Sequence, residues 1–312
     1  MRVLVTGAFG FVGRGVVRQL LGGGHQVLAL QSPWSTTEPR LAPGLTVARA
    51  DLRDKQALAE ALSGVEGVCH LGARTRVRES FEDPVGYYDT NLGGTIALLD
   101  AIRQANLSTE APRVVFGSTA AVYGLADAYP VTEQAPLRPT NPYSASKAAA
   151  EALIGFTAQA GDIGATILRF ANAAGAVDGF ADPDQSRIIP KVVAVAAGRF
   201  PHVDVNGDGS ARREYVHVLD IADACVQALT GAADEAVVLN VGSGCAASIA
   251  EVIAAASDVT GQVIPTIHHP PSPEPPLVFS DNTLALTHLG WKPKRSDLTR
   301  MISDAWTAEE PC

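Results

Sequence analysis

Along the first half of the chain, short runs of β-branched and apolar residues alternate with longer stretches in which Ala and Leu recur among polar positions. That is the rhythm of a parallel sheet flanked by helices. The apolar runs predict strands at 3–6, 26–30, 46–50, 67–71, 113–116 and 166–169, and the longer stretches predict helices at 15–21, 55–62, 91–104 and 144–158. Beyond about residue 171 the rhythm breaks. Residues 175–184, rich in Gly, Asp and Ala, read as a connection, 188–198 as a helix, 237–241 as a late strand and 298–306 as a closing helix. The repeated prolines of 268–276 exclude a helix or central strand and predict an extended surface loop. The pattern implies an α/β fold: a Rossmann-type doubly wound parallel sheet over residues 1–171, to which a strand and helix from about 215–242 return. A smaller C-terminal substrate-binding lobe occupies most of 172–312.

Composition narrows the class without giving a function. With 312 residues, 46% hydrophobic and 18% charged, the chain is long enough for such a core and too apolar to be disordered. Thirty-three acidic against 24 basic residues give a net charge of −9, which argues against a nucleic-acid surface. No apolar run reaches the roughly 18–20 residues that span a bilayer, and the first strand is too short for the core of a signal peptide. Cys69, Cys225, Cys245 and Cys312 form no CxxC and no metal-ligand spacing. A cytoplasmic protein with no membrane partner and no metal is expected.

Two motifs carry chemistry. Thr6-Gly7-Ala8-Phe9-Gly10-Phe11-Val12-Gly13 joins the first strand to the first helix. In this GxxGxxG spacing Gly7 permits the tight turn, Gly10 lets backbone approach a pyrophosphate, and Gly13 lets the helix pack on the sheet. The first-turn N–H groups at Phe11, Val12 and Gly13 face the anion. The position after the second strand, where a carboxylate usually holds the adenosine ribose, is Gln31, which cannot repel a 2′-phosphate; Arg40 is the nearest loop cation. Asp51-Leu52 ends the third strand, either as a turn or against the adenine edge. The second motif is Tyr143-Ser144-Ala145-Ser146-Lys147. Tyr and Lys four apart share a helix face, and an ammonium near a phenol favours phenolate, a usable base near neutrality. Ser118 and Thr119 end the fifth strand, where hydroxyls would face a cofactor.

On these motifs the chain resembles the extended short-chain dehydrogenase/reductases, and within them the UDP-glucose/UDP-galactose 4-epimerases. The likeness extends through His70-Leu71-Gly72-Ala73, residues 77–95, GSTAAVYG at 117–124, PYSASK at 142–147, RFANAAG at 169–175, RREYVHVLDIADA at 212–224, NVGSG at 240–244 and LGWKPK at 289–294. It implies bound NAD, with Leu71, Ala73, Asn91 and Ser118 near it, and a nucleotide-sugar substrate. Tyr143 would take the proton of the sugar C4 hydroxyl as hydride leaves C4, Thr119 would hydrogen-bond that oxygen, and Lys147 would tune Tyr143 and hold the nicotinamide ribose. Asn172 and Arg213 would meet the diphosphate, unless Arg213 pairs with Glu214 instead. The family's late-loop arginine is absent from 269–274, where only Glu274 could accept from a ribose hydroxyl. The resemblance also implies a homodimer through the helices of 91–104 and 144–158.

Thr119-Ala120-Ala121 separates reactions inside that family. Dehydration of a nucleotide sugar needs an acid/base pair after the threonine, decarboxylation uses a glutamate there, and alanines supply neither. Epimerisation needs only Tyr143, Thr119 and the cofactor. The alternatives are a 4-epimerase of UDP-glucuronate or UDP-N-acetylhexosamine, for which Arg187 is the one loop cation suited to a carboxylate, a ketosugar reductase using NAD(P)H, and an NAD-sensing module without catalysis. His217 is expected to be structural, Trp291 to cap a helix end, and Arg74, Arg76 and Arg78 to be solvated.

Overall fold

The computed structural model describes all residues except 38, 40–41, 106–111, 232–235, 272–276 and 310–312. Arg40, Glu274 and Cys312 therefore lie outside the described residues. The chain forms two compact units: Met1–Gly124 with Ala135–Arg169 and Ala222–Leu239, and Leu125–Gln134 with Phe170–Ile221 and Asn240–Cys312.

The first unit is built on β1 (Arg2–Thr6), β2 (Gln26–Gln31), β3 (Leu45–Arg49), β4 (Gly67–His70), β5 (Arg113–Thr119) and β6 (Gly164–Phe170), with helices α1 (Phe11–Gly22), α2 (Lys55–Ala61), α3 (Val77–Glu82), α4 (Pro84–Tyr88), α5 (Gly94–Gln104) and α6 (Pro142–Gln159). Its strands are apolar runs because helices cover the sheet: Leu4, Leu28, Val68, Val114, Phe116 and Ile167 are buried in one cluster with Leu58, Leu98, Ile102 and Ile154 of the helices. Strand order is β3-β2-β1-β4-β5-β6, extended at the far edge by the late strand Val237–Val241, and the β3-β2-β1-β4-β5 ladder is parallel. This is the doubly wound Rossmann order. The order reverses between β1 and β4, where such sheets bind ligands at their carboxyl ends.

Two helices differ from the periodicity. α1 begins at Phe11, four residues before the expected start, because Gly10 serves as its N-cap. The expected helix over 91–104 is two pieces, the end of a π-turn at Asp89–Gly93 that follows directly on α4, and α5. The extra residue of the π-turn lets Asn91 point inward, as described below.

The second unit carries β7 (Asn172–Ala174), β8 (Ala176–Val177), β9 (Phe180–Ala181), β10 (Val203–Asn206) and β11 (Arg212–His217); the late strand is β12, followed by β13 (Ala246–Ser248), β14 (Thr266–His269) and β15 (Leu277–Val278). β11 is central, pairing with β7, β13 and β15. Helices α7 (Ile188–Ala196), α8 (Val218–Thr230), α9 (Ile249–Thr260), α10 (Thr283–Leu289) and α11 (Leu298–Thr307) complete the chain. Val192, Val205, Val252 and Ile302 form this unit's core. His217 is structural, as expected: Nδ1 accepts from the Leu219 N–H at 3.0 Å, so Nε2–H donates to Asp304 at 3.0 Å. Trp291 lies at a helix end, as expected: behind the left-handed Gly290 its backbone N–H donates to the Ala285 carbonyl of α10 at 3.3 Å. Its ring is also buried, 1% exposed, and its indole N–H donates to the Asp220 carbonyl at 2.8 Å.

Candidate active site

The turn after β1 is shaped by close approach. Gly7 has φ +66°, and a Cβ there would stand 2.8 Å from the Gly72 nitrogen. A Cβ on Gly13 would lie 2.0 Å from the Gly7 oxygen, so α1 could not pack onto the turn. Gly10 differs: it is exposed, and its Cβ would meet only the Gly7 oxygen, at 3.2 Å. No side chain caps α1, so the N–H groups of Phe11, Val12 and Gly13 lack a side-chain acceptor. An uncapped helix start behind an exposed glycine fits a phosphate, which fills the place of the cap. Leu71 and Ala73, just past β4, are half-buried, and Leu71 closes on Gly7.

Behind the turn runs a buried hydrogen-bond chain that sequence reading did not resolve. Thr6 Oγ1 accepts from the N–H groups of Leu71 and Gly72 at 3.1 and 2.9 Å, so its own proton goes to His70 Nδ1 at 2.8 Å. His70 Nε2–H then donates to Thr95 Oγ1 at 3.0 Å, and Thr95 donates to the Asn91 carbonyl at 2.6 Å. Burial, with the nearby Lys147 charge, pushes the His70 pKa down to about 3, so the ring is neutral. The only prior signal was a histidine closing an apolar strand.

Asn91 is 1% exposed and spends its amide on the protein: Oδ1 accepts from the Arg74 N–H at 2.8 Å, and Nδ2 donates to the Arg74 carbonyl at 3.1 Å and to Ser146 Oγ at 2.9 Å. Ser146 donates in turn to the Tyr143 carbonyl at 2.7 Å. Asn91 thus ties the segment after β4 to the first turn of α6. Arg74, expected to be solvated, is held by Glu79 at 2.6 Å and by Asp83, and lies over the Tyr87 ring at 4.4 Å. Arg76 and Arg78 are exposed.

α6 starts at Pro142, two residues before the expected Ser144, because Asn141 caps the Ser144 N–H at 2.9 Å and Pro142 occupies the first turn. Tyr143 is half-buried one turn ahead of Lys147 on the same face. Lys147 is 3% exposed, with Nζ 3.9 Å from the centre of the Phe116 ring and no ion-pair or hydrogen-bond acceptor in range among the described residues. Desolvation pushes its pKa down to about 7, against the opposing pull of Glu151. A buried ammonium in this state calls for polar ligand atoms. Thr119, at the end of β5, accepts the Ala121 N–H at 3.2 Å, which leaves its hydroxyl proton to donate. Ser118 turns inward and donates to Glu151, which Arg169 grips through three bonds of 2.7–3.1 Å while also donating to the Tyr123 hydroxyl at 2.9 Å. This buried pair was absent from the motif reading, since neither residue belongs to YxxxK.

At the outer edge of the sheet, Gln31 is 1% exposed and Asp51 accepts from Arg53, which lowers the Asp51 pKa through that hydrogen bond. Leu52 packs toward α5, where a Cβ on Gly94 would lie 2.7 Å from it.

In the second unit, Asn172 is exposed on β7 and donates to the Glu214 carbonyl at 2.8 Å. Arg213 and Glu214 point to opposite faces of β11, as neighbours on a strand must. The Glu214 carboxylate turns inward, accepting from Gly244 N–H at 2.6 Å and from Ser280 N–H and Oγ at 2.9 and 2.8 Å, and burial pushes its pKa up. Arg213 is half-buried, with a terminal N–H on the Arg212 carbonyl at 2.9 Å. Arg187 is already paired with Asp182 at 2.9 Å and Asp184 at 3.5 Å, which removes it as a cation for a sugar carboxylate.

Residues 3–242 match the NAD dependent epimerase/dehydratase family. The chain belongs to that family. It is 39% identical to a UDP-glucose 4-epimerase of Streptomyces lividans over 98% of this chain and 95% of that one. Among solved structures it is similar to a UDP-glucose 4-epimerase of Stenotrophomonas maltophila with bound NAD and formylated UDP-arabinopyranose (TM-score 0.91, 32% identity, 99% of this chain and 97% of that one). It is also similar to one of Bifidobacterium longum in complex with NAD+ and UDP (TM-score 0.87, 28% identity, 99% and 98%). The expectation of an epimerase agrees with all three, and that of NAD with the family and the two solved structures. The uncapped α1 start and the buried, acceptor-poor Lys147 fit a dinucleotide with a pyrophosphate and ribose hydroxyls.

Proposed function

We propose that the protein interconverts UDP-glucose and UDP-galactose by inverting C4 of the hexose, with NAD as resident cofactor. Membership of the epimerase/dehydratase family and the epimerase relatives support an NAD-dependent UDP-sugar 4-epimerase. The observation that carries the reaction type is the end of β5: Thr119 has a hydroxyl proton to donate, and the next two residues are alanines. Elimination of water would need an acid and a base there. Epimerisation does not.

Gly7, Gly10 and the first turn of α1 would hold the pyrophosphate, and Lys147 the ribose next to the nicotinamide. NAD, when bound, accepts the hydride from C4 and returns it. Tyr143 takes the C4 hydroxyl proton as C4 is oxidised and gives it back on reduction, so the residue ends each cycle as it began. Lys147 supplies the positive charge that favours the phenolate, and Thr119 donates to the C4 oxygen in both the hydroxyl and keto states. After the keto sugar turns over, the other face is reduced, which inverts the centre. Asn172 and Arg213 are assigned to the diphosphate, where a guanidinium offers bidentate contact.

A homodimer is part of this reading. Val85, Tyr88 and Ile96 follow one another at helical spacing along α4 and α5 and are 78%, 40% and 44% exposed. Phe156 on α6 is 69% exposed, and a groove between α5 and α6 is lined by Ile96, Leu99, Leu153 and Thr157 together with the charged Asp100, Arg103 and Asp162. No helix among the described residues is long and apolar enough to cross a membrane. We assign the enzyme to the cytoplasm, where its thiols stay reduced and nucleotide sugars are made.

The test is proton NMR of UDP-glucose and UDP-galactose incubated separately with purified protein and no added nucleotide. Both should reach one equilibrium mixture, and Tyr143→Phe should slow this at least 10³-fold while NAD stays bound. Stoichiometric use of NADPH on a keto sugar, without interconversion, would replace the epimerase by a reductase.

A further inference from the structure

The ribose position at the end of β2 departs from the usual dinucleotide site in both charge and bonding. A carboxylate there accepts from the adenosine ribose hydroxyls and repels a 2′-phosphate, whereas a nearby arginine accommodates that phosphate. Here the residue is Gln31, and its amide is already spent. Oε1 accepts from Arg49 Nε at 3.1 Å, and Nε2 donates to the Thr37 carbonyl at 2.6 Å and to Ser35 Oγ at 3.3 Å. The pairing follows from the sheet: Gln31 and Arg49 stand opposite each other in the β2–β3 register. Arg49 is exposed, pairs with no carboxylate among the described residues, and gives only Nε to Gln31. Its two terminal NH₂ groups keep the fork that matches a phosphate. Ser32 and Ser35, on the loop that follows, add hydroxyls and no charge.

We propose that the adenosine end of the cofactor site accepts a 2′-phosphate, so that the chain takes NADP as well as NAD, with Arg49 as the phosphate's cation and Gln31 holding Arg49 in place. This rests on reading the Gly7–Gly13 turn as a dinucleotide site. An acid at position 31 would pair with Arg49, neutralise it, and turn the remaining field against a dianion. With Gln31 the neutral amide orients the guanidinium without cancelling its charge.

The test is the nucleotide content of the protein itself. Purified protein is equilibrated with equal concentrations of NAD and NADP, freed of excess, and denatured, and the released nucleotides are separated by chromatography. As-purified protein is analysed the same way. Wild type is expected to release NADP in at least one-tenth the amount of NAD, Arg49→Ala to lose the NADP share with NAD content unchanged, and Gln31→Glu to release NAD almost alone. NAD alone from wild type in both preparations, or an unchanged NADP share from Arg49→Ala, overturns the proposal. Protein that holds neither nucleotide overturns the dinucleotide reading beneath it.

Discussion

Lys147 and Glu151 are four residues apart on α6, and the protein treats their charges oppositely. Glu151 is buried but gripped by Arg169 and Ser118; Lys147 is buried with its ammonium over the Phe116 ring and, among the described residues, no hydrogen-bond acceptor in range. In the free protein, desolvation holds the Lys147 pKa near 7, below its ordinary value of 10.5. The unfolded chain therefore binds more protons than the folded one between about pH 7 and 10.5, and this group's contribution to stability rises with pH across that window. Lys147→Met should accordingly raise the urea midpoint of nucleotide-free protein at pH 7, while turnover falls at least 10²-fold. Glu151→Gln should act the other way, leaving Arg169 buried without its anion, a loss of about 3–5 kcal/mol by the usual cost of breaking a buried pair. Chemical denaturation of the two variants beside wild type checks both signs. A destabilised Lys147→Met would show that the lysine is held by something other than its ligand.

The elements that position these residues were legible to different degrees. Strands β1 to β6 could be read because a sheet covered on both faces must be apolar throughout, and α6 because Ala and Leu recur along it, although its start at Pro142, behind the Asn141 cap, lies two residues before the expected one. The π-turn at 89–93 was not, since periodicity cannot distinguish a helix that inserts one residue from one that does not. The Thr6–His70–Thr95 chain was equally silent: its members lie on three elements whose proximity is a property of the fold. Strands of two or three residues beside β11 leave no alternation to read. The His70 chain has a measurable consequence. The folded ring resists protonation down to about pH 3, whereas the ordinary value is 6.5, so the unfolded chain takes up the extra proton first as pH falls. Stability is fully present above about pH 6.5 and drains as pH drops toward 3, by up to about 1.4 kcal/mol for each pH unit. His70→Gln, whose amide can bridge Thr6 and Thr95 without titrating, should flatten that acid limb in denaturation midpoints measured from pH 7 to 4. An unchanged slope would mean that other groups carry it.

Over the whole molecule, one feature of the first unit has no role in a single chain. Val85, Tyr88, Ile96 and Phe156 are apolar, exposed, and arranged along α4, α5 and α6, while the opposite faces of α5 and α6 are buried in the sheet's core. A helix needs one apolar stripe to pack on its sheet, and α5 and α6 carry apolar residues on a second side as well. Water contact over such a surface is unfavourable by about 25 cal/mol per Å² of apolar area, so a second copy presenting the same helices gains from covering it. A two-fold arrangement would place α5 and α6 of each copy together as four helices, with the patch self-complementary. The net charge of −9 opposes association only weakly at physiological salt, where charges beyond about 8 Å are screened. Sedimentation equilibrium should therefore return twice the 32.5 kDa chain mass at micromolar concentration. Introducing charge with Ile96→Glu and Phe156→Glu together should give a monomer that retains the wild-type circular dichroism. Both positions are exposed in the single chain, so their replacement disturbs no core. A wild-type protein that sediments as a monomer would leave the stripe to another partner and remove the dimer from the functional reading.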